Sequence, residues 1–466
     1  MKITFHGAAR TVTGSKHLIT LSNGKSLLLD CGLFQGLGPE TDDLNRNFGF
    51  DPSSVNYMIL SHAHVDHCGL IPKLIKDGYK GKIFCTAGTY DLSAVLMEDS
   101  ASIQEGDLKM VNKRRSLRHE QLISPLYTTA DAIAATSSLV VVDYQTWHRI
   151  DDDIEFQFTD AGHIVGSTTV HLRIKENGKL FKITFSGDVG RYRDVILKSP
   201  EPFEQADYII MESTYGNSLH EDVAQSPDIL LDWIERTCIQ KKGKLIIPAF
   251  SVGRTQEILF SLNQLEIENR LPQLEYFVDS PLSSKATEIV KKYPEYFNSR
   301  IQKILQKDED PFNFKGLKFT KSVEDSKLLN YYNKPCVIIS ASGMAEAGRV
   351  KHHISNNIED SRCAILMTGY CEPNSLGARL LTHPGEVTIY GQIHQVNAEI
   401  GQMKSMSAHG DYEDLLQWLS CQDPTQIKKL FLVHGEYEVQ EAFRDRLMKK
   451  KFEVYIPKLH EEVGLW

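Results

Sequence analysis

Four side chains able to bind a metal ion stand within six residues of this chain: His62, His64, Asp66 and His67, in the pattern H-x-H-x-D-H. They converge on one point only if the backbone turns sharply, as a loop leaving a strand permits. The ordinary alternative is a helix start capped by Asp66 with its histidines in solvent, but three histidines and an aspartate at this spacing are rarely accidental. The flanks agree. Residues 55–60 read as an apolar strand running into Ser61, and from Asp66 to about residue 75 the pattern is helical. The cluster is expected on a strand-to-helix loop.

Two more donors lie downstream, each beside glycines that let a backbone come close to an ion. His163 sits between Gly162 and Gly166, and Asp188 between Gly187 and Gly190. Alone, each is an ordinary turn residue. Following the histidine cluster in this order, both are expected to be ligands.

A chain of 466 residues exceeds one ordinary core, so two domains, or one split by an insertion, are expected. Hydrophobic residues at 41% and charged residues at 24% fit a folded soluble enzyme without long disordered tracts. The net charge of −9 argues against indiscriminate adhesion to nucleic acid or anionic membrane, so a polyanionic substrate needs a locally positive cleft. No apolar stretch approaches the roughly 20 residues of a membrane span, and the opening residues lack the pattern of a signal peptide. A cytoplasmic location without membrane partners is the expectation. The eight cysteines contain no C-x-x-C pair, which suggests buried free thiols rather than a zinc ribbon or a disulfide scaffold.

Along the chain, short apolar runs at residues 2–5, 17–21 and 26–29 predict a meander, with Asn23 and Gly24 as a hairpin turn. A helix is predicted over 87–113. Strands follow at 139–142, 154–158, 168–174, 179–185 and 207–211, with Asn177 and Gly178 as a second turn. From about Gly216 helix and strand alternate through 223–239, 244–248, 253–265, 275–278, 337–340 and 363–367, as in a parallel α/β domain. The end resumes with elements at 427–433, 436–450 and 452–456. With no low-complexity linker, a domain inserted into its host is expected rather than two domains on a tether.

Asp30 in the run Leu29, Asp30, Cys31, Gly32, together with the H-x-H-x-D-H cluster, His163 and Asp188, resembles the motifs of the metallo-β-lactamase fold. The resemblance implies an αββα sandwich and two Zn2+ per chain. It assigns His62, His64 and His163 to one ion, Asp66, His67 and His434 to the other, and Asp188 to both, while Asp30 steadies the loop. Glu212 in Met211, Glu212, Ser213, Thr214, His409 in Ser407, Ala408, His409, Gly410, and His434 in Val433, His434, Gly435 further resemble motifs A, B and C of the β-CASP nucleases. In that family an α/β domain is inserted between motifs A and B. The expected division is therefore 1–216 and 404–466 for the metallo-β-lactamase domain and 217–403 for the β-CASP domain.

The family resemblance implies a ribonuclease acting on single-stranded RNA, most like a minimal bacterial-type member of the group containing the pre-mRNA 3′-end processing endonuclease. Asp66, Glu212 and His409 are then catalytic. Water activated between the zinc ions attacks phosphorus, and His409, oriented by Glu212, protonates the leaving 3′-oxygen; products carry 5′-phosphate and 3′-hydroxyl. Segments around Arg254, around Ser342, Gly343 and Arg349, and around Arg379 look like family segments that meet phosphate, as does Ser407. Where the family often shows Gly-Thr-Leu-Gly-Arg, this chain has Asn374, Ser375, Leu376, Gly377, Ala378, and only the following Arg379 remains. The basic run Lys113, Arg114, Arg115 is expected to be a solvated helix face.

Other readings stay open at this point: a DNA nuclease or a small-ester or phosphodiester hydrolase of the same fold, and a non-catalytic scaffold, against which the complete ligand set counts. A homodimer is compatible with the resemblance.

Overall fold

Leu27, Leu28 and Leu29 are all buried, yet they face two different cores. Leu27 and Leu29 pack in one cluster with Ile59, Ile210, Phe431 and Val433, whereas Leu28 packs in a second with Met58 and Leu60. The same alternation sends Ile209, Met211, Leu430 and Leu432 to a third cluster. A strand apolar at every position is thus a strand covered on both faces, with successive side chains pointing opposite ways.

The computed structural model describes residues 1–466. One compact unit comprises residues 1–192, 199–219 and 409–466. It contains two seven-stranded sheets. The first has the order Glu461–Gly464, Lys2–Phe5, His17–Thr20, Ser26–Leu29, Tyr57–Ile59, Ile83–Cys85, Leu139–Val141. The second runs Val454–Tyr455, Lys429–Leu432, Tyr208–Met211, Lys179–Phe185, Thr168–Glu176, Ile154–Asp160, His148–Arg149. The shared core between them holds Phe5, Phe156, Phe158, Phe185 and Phe431. Outside the first sheet Leu74, Met97 and Ala132 close the layer from helices; outside the second, Leu415, Trp418, Phe443 and Leu447 do so. The layers are αββα.

The second unit comprises residues 193–198 and 220–408. Its six-stranded sheet is parallel throughout, in the order Leu317–Phe319, Glu275–Val278, Cys336–Ser340, Lys244–Pro248, Ala364–Met367, Glu399–Gln402. Parallel neighbours need crossover connections, which the helices Arg254–Ile267, Pro281–Lys291 and Arg349–Asn357 help provide.

Local departures from the sequence reading have local causes. The helix expected from Asp66 onward is two helices, Val65–Cys68 and Ile71–Lys76, because Pro72 enters at the start of the second, where its missing N–H costs nothing. Residues 223–239 divide into a 3₁₀ turn, the helix Ser226–Ile234 and a π turn. The helix after Thr86 runs on to Leu117. Asn177 and Gly178 both take positive φ, 50° and 76°, as a two-residue hairpin requires, whereas near residue 23 only Gly24 does. The strands Ile83–Cys85, Glu399–Gln402 and Glu461–Gly464 have no local signal; each is short and exists through pairing with a distant segment. No helix is long and apolar enough to cross a membrane.

Candidate metal centre

The candidate ligands leave the carboxyl ends of strands. His62 and His64 follow Tyr57–Ile59, His163 follows Ile154–Asp160, Asp188 follows Lys179–Phe185, Glu212 follows Tyr208–Met211 and His434 follows Lys429–Leu432. Asp66 and His67 occupy the one-turn helix Val65–Cys68. The loops of His163 and Asp188 are locked together by the bond from Gly190 N to Ala161 O, 2.8 Å; a Cβ on Gly190 would lie 1.9 Å from Gly162 O. That approach explains the glycine at this position. Asp30 and His434 hold φ of 59° and 50°, a left-handed conformation that non-glycine residues seldom keep unless their surroundings enforce it. Here the enforcing bonds are Asp30 N to Ile59 O and His434 N to Ala8 O.

All these side chains converge in two groups. In the first, His64 Nδ1 lies 3.2 Å from His62 Nε2 and 3.1 Å from His163 Nε2, and Asp188 Oδ2 lies 3.3 Å from His62 Nε2 and 3.6 Å from His163 Nε2. In the second, His434 Nε2 lies 3.1 Å from His67 Nε2 and 3.4 Å from Asp66 Oδ2, and Asp188 Oδ1 lies 3.4 Å from His67 Nε2. A tetrahedral ion with bonds of 2.0–2.1 Å sets its ligands about 3.3 Å apart. Both groups have that spacing, and Asp188 turns one oxygen to each.

Hydrogen bonds orient the rings for the same purpose. Ser61 Oγ donates to Asp30 Oδ2 at 2.8 Å and so accepts from His62 Nδ1 at 3.1 Å, leaving the lone pair on Nε2. Thr214 Oγ1 donates to the carbonyl of His434 and accepts from its Nδ1 at 3.1 Å, with the same result. His67 Nδ1 donates to Asp30 Oδ2 at 2.7 Å. Carboxylate and hydroxyl partners of this kind fix the tautomer of ligating histidines. Sequence reading found Asp30 but not Ser61 or Thr214. Their only sequence signal is position: Ser61 directly precedes His62, and Thr214 stands two residues after Glu212.

Electrostatics in the three-histidine group fits cation binding; in the second group burial would lower His67, but the carboxylates of Asp188 and Asp30 outweigh it and hold it well above its usual range. Burial holds His62 down to about 3 and His64 to about 4, and keeps His163 well below its usual range, so all three are neutral donors of lone pairs. Burial would raise Asp66, but the neighbouring imidazoles of His434 and His67 outweigh it and keep the carboxyl ionised. Asp188 Oδ1 is buried without a hydrogen-bond partner, an acceptor that a cation would satisfy. These residues fit two ions.

Glu212 is a member of neither group, but its carboxylate lies within 4.8 Å of ligand atoms of Asp188 and His434. Its Oε1 accepts from Val189 N at 2.6 Å, and both its oxygens lie 3.1 Å from His409 Nδ1. His409, in turn, is 3.9 Å from Asp188 Oδ2. Burial pulls its pKa down, but the carboxylates of Glu212 and then Asp188 outweigh that and lift it to about 9.

The candidate phosphate residues lie in the second unit. Arg254 is buried and paired with Glu257. Arg349 Nη1 bonds Asp279 at 2.7 Å, and its Nη2 reaches the carbonyl of Lys321. Arg379, on the helix Leu376–Leu381, is exposed, Ser342 is half-buried, and Gly343 and Ser407 are buried.

Sequence comparison agrees with this geometry. The model of the metallo-beta-lactamase superfamily matches residues 13–248, that of the Beta-Casp domain residues 255–380, and that of a Zn-dependent metallo-hydrolase RNA specificity domain residues 393–457. A ribonuclease of Thermus thermophilus is 32% identical over 463 residues, covering 99% of this chain and 100% of that protein. The chain belongs to the β-CASP ribonuclease family of the metallo-β-lactamase superfamily. An RNase J-like protein of Methanocaldococcus jannaschii is 28% identical over 98% of this chain and 97% of its own length. Cleavage and polyadenylation specificity factor 73 of Drosophila melanogaster is 28% identical over 92% of this chain and 59% of its own. In this β-CASP chain both groups of candidate ligands, with Glu212 and His409, belong to the first compact unit.

Proposed function

We propose that this centre holds two zinc ions and hydrolyses phosphodiester bonds within single-stranded RNA, leaving 5′-phosphate and 3′-hydroxyl ends. The reading is carried by one observation: the imidazole of His409 is held on a buried carboxylate, Glu212, beside the carboxylate that faces both ligand groups. Relatives named ribonucleases support RNA as the substrate.

In this reading His62, His64 and His163 hold one ion, Asp66, His67 and His434 the second, and Asp188 both. Zinc bound there supplies Lewis acidity and activates water at neutral pH. Asp66 belongs to the catalytic set because its carboxylate would help hold the second of the two ions that together activate water. Glu212 keeps a proton on His409 Nδ1 and stabilises the imidazolium, so His409 transfers the proton on its Nε2 to the departing 3′-oxygen. Arg379, Ser342, Gly343 and Ser407 meet the phosphate backbone. Arg254 and Arg349, paired with Glu257 and Asp279 in the free chain, are phosphate contacts in the same reading.

Cleavage of RNA and DNA oligonucleotides labelled at either end tests the proposal. Internal cuts in RNA with 5′-phosphate and 3′-hydroxyl ends are expected. Hydrolysis of small esters without any cleavage of RNA would overturn it.

A further inference from the structure

The loop of residues 6–16 is the clamp behind His434. Ala8 O accepts from His434 N at 2.7 Å and Thr11 O from Gly435 N at 3.2 Å, so this loop sets where the second ligand group receives its last imidazole. Between Ala8 and Thr11 stands Arg10, with φ of 64°. A side chain of this size seldom keeps a left-handed backbone, and the exceptions gather where a site requires them.

Arg10 is a cation without an anion. Its guanidinium lies 4.3 Å from the ring centre of Tyr437, and Nη2 donates to Ile456 O at a long 3.4 Å. Nε is closed to solvent and has no partner, and Nη1 has none either. The carboxylate of Glu461 lies near enough to feel the charge, yet it accepts from Tyr455 Oη and from Lys458 N and makes no ion pair with Arg10. The first acidic residue of the chain is Asp30, so the loop carries Arg10 and Lys16 and no acid at all. Arg254 and Arg349 each hold a carboxylate; Arg10 does not.

A fastening role accounts poorly for this arrangement. A half-buried guanidinium that served only to tie the loop down would have its donors matched, since unmatched donors cost both hydrogen bonding and solvation. The stack on Tyr437 orients the group and leaves those donors open. What they lack is an acceptor with negative charge and several oxygens, and phosphate has both. Two residues of chain span at most about 7 Å, so Arg10 stands close to the Ala8 carbonyl and hence to the second ligand group.

We propose that Arg10, held on Tyr437, takes a backbone phosphate of the RNA strand beside the metal centre, in a reading that rests on the ribonuclease function above. It supplies within the first unit the local positive charge that a chain of net charge −9 needs in order to hold a polyanion.

Arg10→Met keeps the length of the side chain and removes the charge. Binding of labelled single-stranded RNA is followed against salt in the His409→Ala background, where cleavage is slow. Affinity at low salt should fall about 10-fold, and the slope of log affinity against log salt should shrink by about 0.7, the worth of one phosphate contact on a single strand. Arg10→Lys should keep the slope and recover part of the affinity. Denaturant unfolding should find Arg10→Met no less stable than its parent, because no ion pair is lost, and zinc content should not change. Equal affinity and slope in Arg10→Met overturn the inference while leaving the ribonuclease reading intact. A marked loss of stability with an unchanged slope also overturns it, as the signature of a structural staple. A parent chain that binds no RNA at any salt brings down both.

Discussion

His409 Nδ1 lies 3.1 Å from both carboxylate oxygens of Glu212, a side chain wholly closed to solvent. Glu212 takes a hydrogen bond from His409 Nδ1 and, with Asp188 behind it, favours the charged imidazole over the neutral one. His409→Ala should therefore keep its metal content while cleavage falls about 10²- to 10⁴-fold, the usual worth of a positioned general acid. A nitrophenyl phosphodiester, whose leaving group departs without a proton, should be spared. Equal defects toward both substrates would refute the acid role.

The same pair predicts a pH profile. With its pKa lifted to about 9, His409 holds its proton through neutral pH and loses it as pH rises past that value, so general-acid cleavage should decline on the alkaline side. Glu212→Gln removes the largest influence raising that pKa. The alkaline limb should then move to lower pH, and a limb that stays in place would show that another group sets it.

Elemental analysis distinguishes the two ligand groups. Wild-type chain should hold about two zinc ions. His434→Ala removes one nitrogen from the second group and should leave about one, held by the three histidines and Asp188. Asp188→Ala, which takes an oxygen from both, should lose most of both. Equal metal content in the two variants would contradict the bridging arrangement.

Asp30 accepts from His67 Nδ1, Ser61 N and Ser61 Oγ. Asn tolerates the left-handed backbone at this position, so Asp30→Asn isolates the charge. Affinity for one of the two ions should fall by roughly 10- to 100-fold, read by competition with a chelator. Unchanged affinity for both would reduce Asp30 to a structural role.

Lys16 is fully buried, its Nζ donating to the carbonyls of Gly14 and Gly32 beside the Phe34 ring. Burial lowers its pKa from 10.5 to about 8. Between those values the unfolded chain binds a proton that the folded chain does not, so folding stability from this group rises with pH across that window. Relative to Lys16→Met, the wild type should gain about 3 kcal/mol between pH 8 and 10.5, measured by denaturant unfolding. A flat difference would mean that Lys16 stays charged in the fold.

Much of the site was legible because its chemistry is local in sequence. The strand end before His62, the donors at 62, 64, 66 and 67, and the glycines around His163 and Asp188 are neighbours in the chain. The strands apolar at every position were legible as short apolar runs, though not the burial of both their faces. The short strands Ile83–Cys85, Glu399–Gln402 and Glu461–Gly464 stayed hidden, since three or four residues carry little periodicity and their stability comes from distant partners.

By itself the sequence determined which residues can bind metal and which elements carry them, because donor identity and alternation are properties of the chain. Only the tertiary structure decided which nitrogen of each imidazole faces inward, through Ser61, Asp30 and Thr214. It alone turned one oxygen of Asp188 to each group and set Glu212 against His409 across 197 residues. It also left Ile103, Met110 and Leu117 exposed on a helix whose earlier turns, up to Ala101, reach the core. Those outcomes depend on distances between segments far apart in the chain, and such distances exist only once the sheets have packed.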